Sequence, residues 1–392
     1  MSPLQALSTA LGGTVGTGNI AGVTLALSLG GPGVLFWMWV SALIGMGTKY
    51  AEVLLAVKFR ERDERGERVG GPMYYIKNGL GTKFRPLAGI FSAAGSLAAL
   101  GMGSAVQSAE IRSALATLAG ALDVQTGEGF PLAVGIIVAL LAAAVLLGGL
   151  KRLGNVASLL VPGMSLLYIA ACAAVIFVCR DNFAQSVCEI FSDAFSPGAG
   201  LGACIGWGFR RGIFSNEAGL GSSPIAHASA AERDCVRQGM AGVFEVFADT
   251  IVICTLTGLA LLTSGAMSGG EPTTARNTQA LAAAFGGRWA AVIIAVSITL
   301  FAFSSLLSWG MYGGRCCAYL LGPRFLRPYC VLFCAAALAG AAVRLEAVWL
   351  LADILNALMA APNLFALLLL SGTVRTETRR YFRPGARLQR RR

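Results

Sequence analysis

Ala10-Leu11-Gly12-Gly13-Thr14-Val15-Gly16-Thr17-Gly18-Asn19-Ile20-Ala21-Gly22-Val23 is the stretch whose reading decides the fold. It lies inside an apolar run, Leu4–Leu29, long enough for a bilayer crossing of about 20 residues. Gly12, Gly13, Gly16 and Gly18, with Thr14, Thr17 and Asn19, fall near the middle of that run. Each glycine costs a helix interior roughly 1 kcal/mol relative to alanine, so the composition predicts a spanning helix broken at mid-depth. Unpaired backbone N–H and C=O groups at that depth are tolerated only where protein or a polar ligand satisfies them. One reading is therefore a substrate and ion site at the break. A second is close helix packing through the Gly12/Gly16 and Gly18/Gly22 G-x-x-x-G pairs. The stretch by itself supports both evenly. The Gly16-x-Gly18-x-x-x-Gly22 spacing misses the dinucleotide fingerprint by one residue and follows no strand, so that ligand class is set aside.

A second copy decides between them. Ile213-Phe214-Ser215-Asn216-Glu217-Ala218-Gly219-Leu220-Gly221 is again polar and glycine-rich within an apolar neighbourhood. The two stretches share Asn-x-Ala-Gly, at Asn19–Gly22 and Asn216–Gly219, roughly half a chain length apart. Interrupted hydrophobic segments at matching positions of two halves point to a transporter binding site.

Hydrophobic residues make up 56% of the chain and charged residues 13%, against about 25% charged in a soluble domain. With a mean hydropathy of +0.68, this is the composition of an all-α polytopic membrane protein. The ten cysteines are scattered through apolar runs without C-x-x-C or zinc spacing, so they read as small hydrophobes and no disulfide framework is implied. The first apolar run is itself a candidate span, and no separate cleavable signal is read. Enzyme motifs of the H-E-x-x-H, G-x-S-x-G and G-x-x-x-x-G-K-[ST] types are absent, which argues against catalysis.

Hydropathy predicts ten spans: Leu4–Leu29 (broken), Gly33–Val57, Leu87–Leu118, Phe130–Leu150, Val156–Val178, Gly198–Ala230 (broken), Gln238–Thr263, Trp289–Tyr312, Tyr329–Val343 and Ala347–Gly372. Lys58–Arg68 reads as a charged loop, and Gly70–Tyr75 as a turn leading to an interfacial segment. With both termini cytoplasmic, most of the 31 lysines and arginines fall in inside loops and the tail. Only Arg180, Arg276, Arg288 and Arg344 fall outside, an asymmetry that supports this orientation. The net charge of +11 is thereby accounted for by topology. The basic tail, residues 374–392, faces anionic lipid rather than nucleic acid.

Polar groups at membrane depth are the leads to function, because they are costly and line a pathway or pair with one another. Arg210, Arg211 and Glu217 flank the second break, and Glu245 and Asp249 stand four apart in the seventh span. These either touch a transported species or form an ion-pair network that braces the bundle, with bracing favoured for the arginines. Ser304/Ser308 and Ser305/Trp309 are i, i+4 pairs in the eighth span, and two adjacent hydroxyls facing free carbonyls suit a hard cation. Isolated serines of this kind more commonly bond back to their own helix. Gln107 is a lone amide in the third span that either bonds across helices or meets substrate. The single histidine, His227, reads as a packed or cavity-facing residue.

The chain resembles the alanine or glycine:cation symporter family from about Gln5 to Thr376. The resemblance rests on Gly12–Val23, Gly30-Gly31-Pro32-Gly33, Phe36-Trp37-Met38-Trp39-Val40, Lys49-Tyr50-Ala51-Glu52, Gly70–Tyr75, Arg211–Gly221, Asp249-Thr250 and Pro362-Asn363-Leu364. It implies one transporter domain over residues 1–392, with a LeuT-like five-plus-five inverted repeat (about 4–179 and 198–373) and discontinuous helices 1 and 6. It also implies sodium-coupled uptake of a small neutral amino acid, alanine or glycine, by a monomer in the inner or plasma membrane. Proton coupling, a glutamine-type substrate, and a channel or sensor on the same scaffold are the alternatives. Members usually carry a further spanning helix ahead of the broken one, with an outside N-terminus. Here the sequence opens almost at the break, which puts that terminus inside.

Carried over residue by residue, the resemblance implies that backbone N–H groups of Thr17, Gly18 and Asn19 meet the substrate carboxylate. Carbonyls near Phe214 and Asn216 meet the ammonium, helped by Gln107, and Phe214 and Trp309 wall a pocket limited to a small side chain. Sodium falls to carbonyls of Gly12, Val15 and Phe301 with the hydroxyls of Ser304 and Ser305. Thr14, Asn19 and Thr250 form a weaker second cation site.

Overall fold

The structure is a computed structural model that describes residues 1–196, 199–267, 273–342 and 345–383. Gly198, Val343 and Arg344, which the sequence reading assigned to spans and a loop, and residues 384–392 of the tail lie outside the described residues.

The first apolar run forms two helices, α1 (Pro3–Thr14) and α2 (Ala21–Gly30). Helix α1 starts at a capping box: Gln5 N–H donates to Ser2 Oγ (3.2 Å), and Ser2 N–H donates to Gln5 Oε1 (2.8 Å). It stops where Val15 turns extended, and a single turn at Thr17–Asn19 leads into α2. The two halves of the run bend by 55° across the gap.

Next comes α3 (Val34–Lys58), followed by a short antiparallel hairpin, β1 (Glu61–Arg62) and β2 (Arg68–Val69), where sequence suggested only a loop. Beyond it lie α4 (Pro72–Gly79), α5 (Thr82–Ala121), α6 (Phe130–Leu146) and α7 (Gly149–Val178). Helix α8 (Phe183–Ala194) connects to the second interrupted pair, α9 (Ala199–Asn216) and α10 (Pro224–Ala228). The remainder is α11 (Cys235–Thr263), α12 (Thr273–Phe285), α13 (Gly287–Leu321), α14 (Leu326–Gly340) and α15 (Leu345–Phe382). Helices α8 and α12 were not foreseen. They are short and too polar to register as spans.

Among the described residues six helices are long and apolar enough to cross a membrane, and the bent α1/α2 pair makes a seventh. Large apolar side chains such as Leu159, Phe177 and Leu368 stand exposed on the outside. An outward apolar band with polar groups turned inward is the arrangement of a protein dissolved in lipid.

Helix α3 packs on α9 and α11, whereas α13 packs on α1 and α5. Both breaks are thereby enclosed by other helices. Helices α5 and α11 each contain a π-helical stretch, Ala99–Val106 and Phe247–Cys254. Such stretches frequently mark functional positions, and these two end beside Gln107 and contain Asp249 and Thr250.

Candidate functional site at the two helix breaks

The first break frees a row of backbone groups. Val15 N–H still donates to Leu11 O (2.7 Å), but Gly16 N–H leaves the helical pattern and donates to Asn19 Oδ1 (2.9 Å). The Gly12 carbonyl, which a regular helix would pair with Gly16 N–H, instead accepts from Ser304 Oγ (3.2 Å). Asn19 N–H is taken by Gly16 O (3.1 Å), so it is not available to a carboxylate as the sequence reading supposed. Among the described residues nothing accepts from the N–H groups of Thr17 and Gly18. Two adjacent N–H groups left without an acceptor are the kind of donor pair that suits an anion.

Three glycines let α13 approach α1 closely. A Cβ on Gly12 would lie 3.0 Å from Ser308 Oγ, one on Gly13 2.7 Å from Tyr312 Oη, and one on Gly16 2.6 Å from Ser305 Oγ. Ser308 Oγ and Tyr312 Oη both donate to Thr9 O, at 2.6 and 3.4 Å. The structure thus brings together Gly12 O, Phe301 O and Ser304 Oγ, which also reaches Phe301 O at 2.9 Å, with Ser305 Oγ beside Gly16. Ser305 Oγ is buried and has no hydrogen-bond partner among the described residues. Val15 sits one residue past the end of α1, with its side chain buried.

Asn19 has a different role from the one expected of it. Its amide Nδ2 donates to Asp249 Oδ1 (2.7 Å) and lies 3.3 Å from Cys254 Sγ. The second Asp249 oxygen accepts from Ser215 Oγ (2.7 Å) and Thr250 Oγ1 (2.8 Å). Asn216 Nδ2 donates to Thr250 Oγ1 (3.2 Å). Asn19 and Thr250 therefore do converge, but on a buried carboxylate that the expected ligand set omitted. Thr14 does not join them, since its hydroxyl bonds back to Ala10 O and Leu11 O. Asp249 was readable as a charge within an apolar span; its link to Asn19 depends on tertiary packing.

Gln107 donates to Met102 O (3.2 Å), and its Oε1 is buried without a partner, in position for a donor such as an ammonium. Phe214 lies across from Gly18, whose added Cβ would meet its ring at 3.6 Å. Trp309 is fully buried, and its Nε1 donates to Glu217 Oε1 (2.9 Å), so the indole is tied to the second break as well as walling the interior.

The second break runs from Glu217 to Ser223 and is held by charge. Glu217 itself has a positive φ of 53°, a strained backbone for a non-glycine residue. Gly219 N–H donates to Glu52 Oε1 (3.0 Å), and Asn363 Nδ2 donates to both Glu52 Oε1 (2.5 Å) and Gly219 O (2.8 Å). Lys49 Nζ donates to Glu217 O (3.2 Å) and Ser223 Oγ (2.8 Å), and faces Glu245 at 3.5 Å and Glu52 at 4.0 Å. Ser222 Oγ donates to Glu217 Oε2. Glu245 and Asp249, although one helical turn apart, thus serve separate clusters. Arg210 and Arg211 stack on Trp207, and Arg211 also on Phe214.

Residues 1–390 match the family model described as the sodium:alanine symporter family. The sodium/alanine symporter AgcS of Methanococcus maripaludis is 43% identical over 97% of this chain and 84% of its own length. The probable sodium/glutamine symporter GlnT of Bacillus subtilis is 34% identical over 98% of this chain and 79% of its own. Among solved structures, MhsT in complex with L-phenylalanine superposes with a TM-score of 0.67 at 15% identity, covering 94% of this chain and 89% of that one. At that identity the likeness bears on the fold, which is that of LeuT-type neighbours. The interrupted helices, the apolar exterior and the full-length match lead to one conclusion: the chain belongs to the sodium:alanine symporter family, and is an integral membrane transporter rather than an enzyme.

Proposed function

We propose that the protein is a secondary active transporter that carries a small neutral amino acid, alanine or glycine, inward with sodium. It acts as a monomer in the inner or plasma membrane, with both termini cytoplasmic. The observation that carries this reading is the orphaned Ser305 hydroxyl against Gly16, next in sequence to Ser304, whose Oγ meets the freed Gly12 carbonyl and Phe301 O. Ser41, Ser108, Ser297 and Thr299 also have buried hydroxyls without partners among the described residues, but Ser305 lies against a helix break, where a cluster of neutral oxygens suits a monovalent cation.

In this reading Gly12, Val15, Phe301, Ser304 and Ser305 hold sodium. Thr17 and Gly18 N–H bind the substrate carboxylate, Gln107 and carbonyls around Phe214 and Asn216 bind its ammonium, and Phe214 and Trp309 limit its side chain. Asn19 acts through Asp249 and Thr250, whose buried negative charge supports a second cation position. The ten spans group as two inverted repeats of five, about 4–179 and 198–373, within a single domain, so that each half supplies one interrupted helix. Membrane lipid is the other partner and nucleic acid is not. One sodium moving inward through 100 mV releases ~2.3 kcal/mol, enough for roughly fiftyfold accumulation.

The test is uptake of labelled alanine and glycine, with glutamine alongside, into proteoliposomes with and without an inward sodium gradient. Saturable, sodium-driven accumulation is expected. Uptake indifferent to sodium removes the coupling ion, glutamine preference reassigns the substrate, and non-saturating flux replaces the carrier with a channel.

A further inference from the structure

Lys49 is the single lysine of a sealed cluster that holds three carboxylates. Glu52, Glu217 and Glu245 surround its ammonium or bond to its partners, and all four side chains are 0–1% exposed. With every carboxylate ionised and the imidazole of His227 neutral, the cluster carries two uncompensated negative charges. Taking ions out of water costs several kcal/mol each after relaxation, and a lone ammonium does not offset three carboxylates. The cheapest relief is a bound proton, and the geometry has a place for one.

His227 lies in α10 and is completely buried. Its Nε2 is 3.0 Å from Glu245 Oε2, and its Nδ1 is 2.7 Å from the side-chain amide of Gln238. With Gln238 Nε2 facing the ring, Nδ1 accepts and Nε2–H donates to Glu245, which describes a neutral imidazole. If the Gln238 amide turns over, its Oε1 accepts from Nδ1–H, and the ring carries both protons while still donating to Glu245. One amide therefore satisfies either protonation state by a half-turn. Imidazole is also the side chain that exchanges a proton nearest neutrality.

We infer that the Glu245–His227–Gln238 triad is a reversible proton site of the carrier, separate from the Ser304/Ser305 position, and that its occupancy is linked to the transport cycle. The proton binds His227 Nδ1 and leaves by the same atom when the carrier's cycle opens this sealed cluster to water, so no other reactant is consumed. The link runs through Lys49, which faces Glu245 on one side and holds the Glu217 carbonyl of the second break on the other. A cationic ring draws Glu245 from Lys49 and strengthens the hold of Lys49 on the break. The groups facing the pair are Lys49 and Glu52 from α3, Glu217 from the break, and Asp249 one turn along α11. Tyr312 faces it from α13, Arg60 caps the neighbouring Ala228 carbonyl, and at the adjoining Ser229 the hydroxyl meets Arg68 O of β2 while the carbonyl accepts from the Met1 amino group. The inference goes beyond sodium coupling, and its link to transport rests on the carrier reading above.

Because the chain has one histidine, ring-15N-histidine labelling gives a single imidazole in NMR spectra of the protein in lipid bilayers. The expected result is conversion from the singly to the doubly protonated ring within the pH window scanned, lost from that window in Glu245→Gln. A ring in one state throughout, or a titration unmoved by Glu245→Gln, overturns the site. In proteoliposomes, sodium-driven alanine uptake should change across the same window, and His227→Gln should flatten the profile. Gln238→Leu serves as the second variant if His227→Gln does not fold. A flat native profile with uptake intact overturns the link. Absence of alanine uptake at every pH counts against the carrier reading instead, and the ring titration still decides the proton site.

Discussion

The two breaks have related sequences and opposite solutions to the same problem. Around the first, the freed backbone is met mainly by neutral groups: Ser304 on the Gly12 carbonyl, the Asn19 amide on Gly16 N–H, and glycines that let α13 close in. The N–H groups of Thr17 and Gly18 and the hydroxyl of Ser305 are left over. Around the second, the freed backbone is met by ions: Glu52 on Gly219 N–H and Lys49 on the Glu217 carbonyl. A break satisfied by its own charged side chains is braced. One left with spare neutral donors and acceptors waits for a ligand to complete it. In the proposed reading binding falls chiefly to the first break and anchoring chiefly to the second, and the following substitutions separate the two roles.

The largest effect belongs to the anchor. Lys49→Met removes the lysine from among buried carboxylates, and losing one member of a buried ion pair costs about 3–5 kcal/mol. Thermal unfolding followed by size-exclusion in detergent should show that loss, with little surviving fold. A nearly unchanged midpoint would mean that the carboxylates already hold protons, and the second break would then be braced by hydrogen bonds alone.

Close approach at the first break gives the next effect. Gly16→Ala places a Cβ 2.6 Å from Ser305 Oγ, and overpacking of this kind costs about 1–3 kcal/mol. Gly18→Ala, whose Cβ would meet Phe214 only at ordinary contact distance, should unfold like the native protein. Equal stability losses for the two would show that the glycines serve the break's conformation and not the seating of α13.

Asp249→Asn tests the charge that reaches the first break through Asn19. It keeps the shape but turns an acceptor of three bonds into an amide, and charge-assisted bonds of this kind contribute about 1.5–3 kcal/mol each at most. A midpoint loss of about 1–2 kcal/mol is expected, together with a raised sodium requirement for uptake. A loss of stability with an unchanged sodium requirement would return Asp249 to the anchoring role.

The two breaks were legible in advance, for definable reasons, although their division into a binding and an anchoring one was not. The breaks announced themselves because glycine and asparagine conflict with helix propensity inside apolar runs, a local signal that tertiary structure did not override. The hydroxyls set opposite the first break also followed from sequence, since Ser304 and Ser305 are adjacent in an apolar span and able to face free carbonyls. The partner of Asn19 did not. Asp249 lies 230 residues away in sequence, and no periodicity connects the two. The same limit hid the join of His227 to Glu245 and of Glu52 to Gly219, because a buried charge reveals its cost in sequence but not its partner. Helices α8 and α12 were missed because amphipathic connecting segments resemble loops in hydropathy.

The smallest stability effect is also the sharpest discriminator. Ser305 Oγ is a buried hydroxyl with no partner among the described residues, so Ser305→Ala removes a desolvated polar atom and leaves none of their groups unsatisfied. Removing an unpaired group is neutral or stabilising, by up to about 1 kcal/mol. If the hydroxyl were structural, loss of function would come with loss of stability. If it waits for a cation, the variant should unfold at or slightly above the native midpoint while needing several-fold more sodium for half-maximal uptake. Ser304→Ala should share the sodium defect but also lose about 0.5–1.5 kcal/mol, because its hydroxyl bonds Gly12 O and Phe301 O. An unchanged sodium dependence in Ser305→Ala would take the cation away from the first break, and with it the asymmetry between the two.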